Sequence, residues 1–469
     1  MSLLDKLDAV AAARKALLPE DLDIFGMPIE EVYSTTEASV GGRRILFFGT
    51  NNYLGLTFAP ECLEAAHKAI DKEGTGTTGS RMANGSYSGH RALEQEFAEF
   101  YNCQSSIVFT TGYQANLAMI SGLAGANDVI LIDGDSHASI YDGCKLSGAE
   151  IIRFRHNDMV DMEKRLKRLG ERASSTLIII EGIYSMLGDR APLADIVKIK
   201  NSYGSILLLD EAHSIGVLGK TGQGLVEETG LINEVDFITG TFSKSLGSIG
   251  GYCVSNHMQL DQLRYVSRPY IFTASPSPST IASTRAALKL LRDGTELRNN
   301  LWKNAHKLYS GLDKQGYKLG PEPGPIIATI LDSPQQAIML WKALFDQGIY
   351  VNLILPPAAP DGKSFTVYDC GYQSTLDSSI SAGHLWVSVP ERSQWQGGWA
   401  LTATDLVLTK PHANAVSLAI MDIQGHLLLQ SDWQHESIRI PRQLLGSGML
   451  IVLAQDREGA WVQRIPLID

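Results

Sequence analysis

The sequence predicts an α/β chain with a large domain on a mostly parallel sheet, a smaller α/β domain and a β-rich C-terminal extension. Three observations carry that reading. Between residues 90 and 290, short β-branched runs alternate with longer helical segments, the pattern of a parallel sheet covered on both faces. From 294 to 360 helix and strand return, interrupted by prolines at 321, 323, 325, 356, 357 and 360. Past about 365 lysine nearly vanishes, five of the seven tryptophans lie after residue 385, and short alternating runs are separated by glycine turns. These shifts divide the chain into a helical arm (1–42), a large domain (43–290), a small α/β domain with an unusual ending (291–389) and the β-rich extension (390–469).

The 469 residues are 44% hydrophobic and 19% charged, the balance of a globular protein with ample core. A net charge of −11 without any Lys/Arg cluster predicts no nucleic-acid partner. Cys62, Cys103, Cys144, Cys253 and Cys370 form no CxxC pair, which favours reduced thiols in a cytoplasmic setting over a zinc site or a disulfide framework. Met1–Leu18 is amphipathic and charged, without the apolar centre of a secretion signal. No apolar run approaches the ~20 residues that span a bilayer, so a soluble protein is expected.

Residues 1–30 read as a helix followed by a proline-broken linker. Residues 43–49 read as a strand, followed by Asn51-Asn52-Tyr53-Leu54-Gly55 and a helix at roughly 60–72. Gly74–Gly85 is too rich in glycine for helix or strand; it reads as a loop that lets backbone approach a ligand, or as a plain connector. Ser106–Thr110, Asp128–Asp133, Thr176–Glu181, Ser205–Asp210 and Val235–Gly240 are the strands of the large domain, with 112–124 and 159–169 among the helices between them. In the tail, Ala415–Met421, His426–Gln430, Glu436–Ile440, Met449–Gln455 and Ala460–Ile465 read as antiparallel strands.

Ligands of such sheets bind beyond the carboxyl ends of the strands, and the residues that carry chemistry fall there. Lys244 follows the last strand among Thr241, Ser243 and Ser245, with glycines at 247, 250 and 251. Hydroxyls beside an amine suit a phosphorylated aldehyde, the hydroxyls taking the phosphate while the lysine forms a Schiff base. The spacing does not match a Walker A loop. Gly112-Tyr113-Gln114 opens a helix after the first strand, where free N–H groups would hold a phosphate. Asp135-Ser136-His137-Ala138-Ser139 places an imidazole at the sheet edge, able to stack on a ring. In Asp210-Glu211-Ala212-His213-Ser214 the first carboxylate could pair with a protonated pyridine nitrogen, and His213 could reach the ring's phenolic oxygen. Glu181-Gly182-Ile183-Tyr184-Ser185-Met186 ends another strand. Singly, Asp210 reads equally as a helix cap, His213 as a buried core histidine and His137 as a turn residue. Independent caps and core histidines need not all fall at strand ends upstream of one lysine. A helicase reading of Asp210–His213 fails for want of a phosphate-binding loop before it.

Residues 40 to 360 resemble the α-oxoamine synthases, fold-type I pyridoxal-phosphate enzymes that condense an amino acid with an acyl thioester. The matching segments are Asn52–Gly55, Gly76–Gly85, Thr111–Tyr113, Asp135–Ser139, Asp210–Ser214 and Gly240–Ser245. Ser136–Cys144, Glu181–Gly188 and Arg268–Ser275 resemble the branch that uses L-serine and a long-chain acyl thioester; other members take alanine or glycine with shorter donors. The resemblance implies pyridoxal 5′-phosphate as cofactor, Lys244 as its Schiff-base lysine and later acid/base, Asp210 on the pyridine nitrogen and His213 on the ring oxygen. It implies His137 stacked on the ring, and Gly112, Tyr113, Thr241 and Ser243 around the phosphate. Thr273 would reach the phosphate of a neighbouring subunit in a homodimer, and Asn52 would contact substrate. A lipid product leaves room for peripheral contact with a membrane.

The resemblance breaks after residue 360. The family continues from a Pro-Pro-Ala-x-Pro segment to an arginine that binds the substrate carboxylate and a Ser-Ile-Ser-Ala stretch. Here Ser379-Ile380-Ser381-Ala382-Gly383-His384 arrives about a dozen residues late. The arginine's place falls on Asp377, or on Val367 when counted without a gap, and neither anchors a carboxylate; Arg392 is a candidate substitute. The tail loosely resembles small β-sandwich sorting modules that end secreted proteins, but without a secretion signal it reads first as an association module.

Overall fold

The computed structural model describes residues 4–17, 26–355 and 364–369, and in the tail 399–401, 405–409, 417–422, 427–432, 435, 437–441, 448–455 and 460–467. Helix α1 (Asp5–Leu17) precedes an antiparallel meander of β1 (Ile29–Val32), β2 (Glu37–Val40) and β3 (Arg43–Phe47). Next come α2 (Pro60–Glu73), opened by a proline where no N–H is needed, and α3 (Ser88–Tyr101). The alternating region follows as β4 (Ser105–Phe109), α4 (Gly112–Leu123), β5 (Val129–Asp133), α5 (Ala138–Ser147), β6 (Glu150–Phe154), α6 (Met159–Leu169), β7 (Thr176–Glu181), α7 (Leu193–Tyr203), β8 (Ile206–Asp210), α8 (Leu225–Thr229), β9 (Phe237–Thr241) and β10 (Gly251–Ser255). Short α9 (Leu263–Val266) and α10 (Arg268–Ile271) lead to the long α11 (Pro278–Asp293) and α12 (Thr295–Lys314).

The large sheet has the order β4-β10-β9-β8-β7-β5-β6. Its strands run parallel except β10, which is antiparallel to both neighbours. Helices on both faces bury the central strands along their whole length, so β5 and β7 read as continuous apolar runs. Alternate side chains feed two cores: Ile130, Ile132, Ile179 and Leu208 pack on one face, Leu131, Ile178, Ile180 and Leu209 on the other. The five strands expected here appear within two residues of their predicted ends; β6 and β10 are additions.

The smaller region holds β11 (Ile326–Leu331), α13 (Pro334–Asp346), β12 (Ile349–Tyr350), β13 (Asn352–Ile354) and β14 (Ser364–Asp369), with β11, β14 and β13 forming one antiparallel sheet. β12 pairs in parallel with β3, so Arg43–Phe47 joins this end of the chain and no strand of the seven-stranded sheet. The tail strands form two antiparallel sheets. Trp399–Leu401, Asp405–Thr409 and Ser437–Pro441 make one; Leu427–Asp432, Ser417–Asp422, Gly448–Gln455 and Ala460–Leu467 make the other. Among the described residues no helix is long and apolar enough to cross a membrane.

Candidate active site

Five strand ends meet at one edge of the large sheet. Beyond β9 the chain turns through Phe242 to Gly247, closed by the Gly247 N–H on the Lys244 carbonyl at 2.9 Å. Phe242 anchors this turn by stacking on Phe97 at 5.5 Å, and Ser245 Oγ donates to the Ile215 carbonyl at 2.6 Å. So held, Lys244 lines a cavity of about 330 Å³ together with Gly112, Tyr113, His137, Asp210, His213, Thr241 and Ser243. All eight were singled out in the sequence. Asn52 lines an adjoining cleft that shares Lys244 and Ser243 with the cavity. Thr273 lines neither of these two; its hydroxyl accepts from Gln114 Nε2 at 3.1 Å.

The acidic wall is built from register. Glu181 ends β7 and Asp210 ends β8, and the two are paired neighbours across the parallel ladder, so their side chains share a face. Asp210 is aimed by Asn116, whose Nδ2 donates to Oδ2 at 2.7 Å, and by the Ala212 N–H on Oδ1 at 2.9 Å. Asn116 is in turn fixed by Thr239, whose hydroxyl donates to its Oδ1 at 3.0 Å. Glu181 is buried, and its Oε1 accepts the His137 N–H at 2.5 Å. Burial, reinforced by Asp210, pushes the Glu181 carboxyl up to about 8.

His137 caps α5, its Nδ1 accepting the Ser139 N–H at 3.2 Å, so the ring opens onto the cavity beside Tyr113. The Tyr113 hydroxyl donates to Asp142. His213 is buried with Nδ1 2.7 Å from the Tyr53 hydroxyl. Burial, with Lys244 and His137 adding to it, holds the imidazole well below its usual pKa, so the ring is neutral.

The opposite wall fits a phosphate. Thr111 caps α4, its hydroxyl accepting the Gln114 N–H at 3.0 Å, which leaves the Gly112 and Tyr113 amides at the helix's positive end for a ligand. A Cβ at residue 112 would stand 2.7 Å from Thr241 Cβ, so glycine is what lets the helix end approach β9. Thr241 Oγ1 and Ser243 Oγ lie 2.9 Å apart beside it. Lysine, paired acids, a neutral histidine and an amide-rich cradle are the donor set that pyridoxal 5′-phosphate requires, and the cavity volume lies within the roughly 300–1,000 Å³ of small-molecule sites.

Sequence reasoning named no role for Asn116, Tyr53 or Glu181. Glu181 stood at a strand end and was visible by position; Asn116 and Tyr53 act through partners more than 90 residues away in the chain, which no local pattern signals. The glycine-rich segment 74–85 is pinned to Ser275, whose N–H and Oγ donate to the Gly79 and Gly85 carbonyls at 3.0 and 2.7 Å, and does not line the cavity. Val367 lies in β14, buried in the core of the smaller region, and cannot meet a carboxylate. Asp377 and Arg392 lie outside the described residues.

Comparisons agree with this geometry. The family model for aminotransferase class I and II matches residues 43–365. A serine palmitoyltransferase of Caulobacter vibrioides is 50% identical over 384 residues, covering 82% of this chain and 93% of the relative. The solved Sphingomonas wittichii serine palmitoyltransferase is 46% identical with a TM-score of 0.79, covering 82% of this chain and 96% of the other. A structure of the same enzyme type carrying PLP as its internal aldimine is 43% identical, also with a TM-score of 0.79, covering 82% and 98%. A cavity built for pyridoxal phosphate and a likeness spread over four-fifths of the sequence lead to one conclusion: the chain belongs to the aminotransferase class I and II family, as a pyridoxal-phosphate-dependent α-oxoamine synthase.

Proposed function

We propose that the chain condenses L-serine with a long-chain acyl thioester, releasing carbon dioxide and giving a 3-keto long-chain base, the first step of sphingolipid synthesis. The observation that carries this reading is the convergence of Lys244, Asp210 and His213 on one cavity, in a chain half identical to a serine palmitoyltransferase. When bound, pyridoxal 5′-phosphate supplies an electron sink for carbanion charge at the substrate Cα. Lys244 would hold the cofactor covalently and, once released, take and return the Cα proton. Asp210, oriented by Asn116, would keep a proton on the pyridine nitrogen. His213 would serve the ring oxygen, and His137, on the wall of the same cavity, would cover the ring and orient the amino acid. The Gly112 and Tyr113 amides with the Thr241 and Ser243 hydroxyls take the phosphate. Asn52 serves the substrate side; its Oδ1 is buried and meets no hydrogen-bond partner among the described residues.

The active unit is a cytoplasmic homodimer in this reading, with Thr273 serving the partner's phosphate. Ile249, Tyr265, Val266 and Phe272 support it: each is 61–72% exposed, a large apolar group awaiting cover. Residues 390–469 form an appended association module. Product analysis by mass spectrometry, with serine, alanine and glycine each against short and long acyl thioesters, tests the assignment. Turnover confined to alanine and a pimeloyl donor overturns it.

The displaced arginine gives a second test. A carboxylate left without its bidentate partner binds more weakly by ~2–5 kcal/mol when buried. Asp377→Arg is expected to tighten serine binding in a spectral titration. If the natural chain already binds serine below millimolar, Arg392→Ala should abolish that binding.

A further inference from the structure

We propose that Tyr53 sets the proton on His213: its hydroxyl donates to Nδ1, which makes Nε2 the N–H that faces the cofactor cavity. The inference rests on the pyridoxal-phosphate reading of the cavity and adds a positioning residue to it. Tyr53 is wholly buried and belongs to the segment between β3 and α2, far from His213 in sequence. Its hydroxyl stands 2.7 Å from His213 Nδ1 and 3.1 Å from Asn51 Oδ1.

A phenol has one proton, so it cannot donate to both of these neighbours. The 2.7 Å link has the length of a well-formed O–H hydrogen bond, whereas 3.1 Å lies beyond the usual O–H···O range. We place the proton on the shorter link; the opposite arrangement, Nδ1–H donating to the phenol while the phenol donates to Asn51 Oδ1, would leave Nε2 without a proton and is the outcome that the tautomer measurement below tells apart. Because His213 is neutral it carries one N–H, and the group bonded to one ring nitrogen decides the state of the other. With Nδ1 accepting from Tyr53, the N–H sits on Nε2, the nitrogen left to the cavity that His213 lines.

The tautomer matters because the two alternatives act oppositely on the same ligand atom. An Nε2–H donates to a phenolate oxygen; an Nε2 lone pair repels it. Asp210 holds positive charge at one end of the cofactor ring, and a donor at the ring oxygen stabilises negative charge at the other. Tyr53 would thus polarise the cofactor without touching it.

The tautomer is readable without cofactor. Histidine labelled with ¹⁵N, with His213→Gln to assign its signal, reports by long-range ¹H–¹⁵N correlation which ring nitrogen carries the proton. The wild type is expected to show Nε2–H. Tyr53→Phe keeps the buried ring and removes the donor, so a mixture of tautomers or Nδ1–H is expected. Cofactor binding by the same variant should weaken by about fivefold to tenfold, the value of one neutral hydrogen bond. Asn51→Ala deletes the competing acceptor and should leave Nε2–H in place, which keeps the test decisive if Tyr53→Phe does not fold. A wild-type His213 protonated at Nδ1, a tautomer unmoved by Tyr53→Phe, or one reversed by Asn51→Ala overturns the proposal. Protein that takes up no pyridoxal phosphate overturns the proposed function instead, and the tautomer measurement still stands by itself.

Discussion

Two buried acidic clusters adjoin at the carboxyl edge of the large sheet, and they handle their charge in opposite ways. At the end of β5, Asp133 and the nearby Asp189 clamp His156 between them, at 2.8 Å to Nδ1 and 2.7 Å to Nε2. Burial alone would lower the imidazole's pKa, but the two carboxylates outweigh it and push His156 up to about 10. Asn157 adds two donors, its N–H on Asp133 Oδ2 at 2.9 Å and its Nδ2 at 2.8 Å on the same Asp189 Oδ2 that His156 meets; Asp189 Oδ1 is buried with no hydrogen-bond partner among the described residues. One strand over, Glu181 and Asp210 share a face and receive amide donors, and burial with mutual repulsion dominates Glu181 despite the pull of Lys244. The first cluster holds its own cation between its two acids and serves the fold. At the second, Lys244 acts on the pair but does not outweigh burial and repulsion, and a protonated pyridine ring would supply further positive charge; an acid left uncompensated in a cavity is what marks the site.

Asp210→Asn tests the contrast most severely. Turnover should fall by about 100-fold or more, the scale seen when a preorganised electrostatic partner is removed. Stability of the cofactor-free protein should hold or rise, because one of two neighbouring acids is gone. Turnover within a few-fold of wild type would remove Asp210 from the reaction.

His156→Gln should do the reverse. Leaving two buried carboxylates without their cation costs about 3 kcal/mol in urea unfolding, while turnover per folded molecule stays within about twofold. The contribution of His156 is full below the unfolded imidazole value of about 6.5 and fades as pH rises through about 10. A variant as stable as wild type at neutral pH would mean the clamp contributes nothing.

The smallest effect is on pH dependence. The Glu181 carboxyl binds its proton more tightly in the folded state, so wild-type stability should decline as pH rises from about 4.3, the unfolded value, through about 8. Glu181→Gln keeps an acceptor for the His137 N–H and removes that slope, so its advantage over wild type should grow with pH across the same interval. Parallel stability curves for the two proteins between pH 5 and 9 would refute the shift.

Much of this was legible in the sequence, and the reason is periodicity. β5, β7 and β8 announce themselves as apolar runs buried almost throughout, and β7 and β8 end in the two acids that line the cavity, Glu181 and Asp210. β6 was missed because it is an edge strand, mixed in polarity and partly exposed. β10 was missed because it opens on Gly250-Gly251, which reads as loop; Gly251 is needed because a Cβ there would stand 2.6 Å from the Thr111 carbonyl. β3 was grouped with the large domain by proximity in sequence, whereas its partner β12 lies 300 residues on. The pairs Asn116–Asp210 and Tyr53–His213 follow the same rule: each residue is ordinary locally and gains its role only through a distant contact.

The reversed strand β10 also sets an order of events. It lies between β4 and β9, so Ser105–Phe109 has no partner in the sheet until residues 251–255 have left the ribosome. Until then the amides at Gly112 hang on an open edge, and pairing across so long a loop is slow because the entropy of closure is lost before any contact is gained. The last strand to join is therefore the one that brings the phosphate cradle up to the lysine's strand. A ligand bridging the two favours the closed sheet by mass action, so cofactor present during refolding should raise the yield of closed chain along this seam.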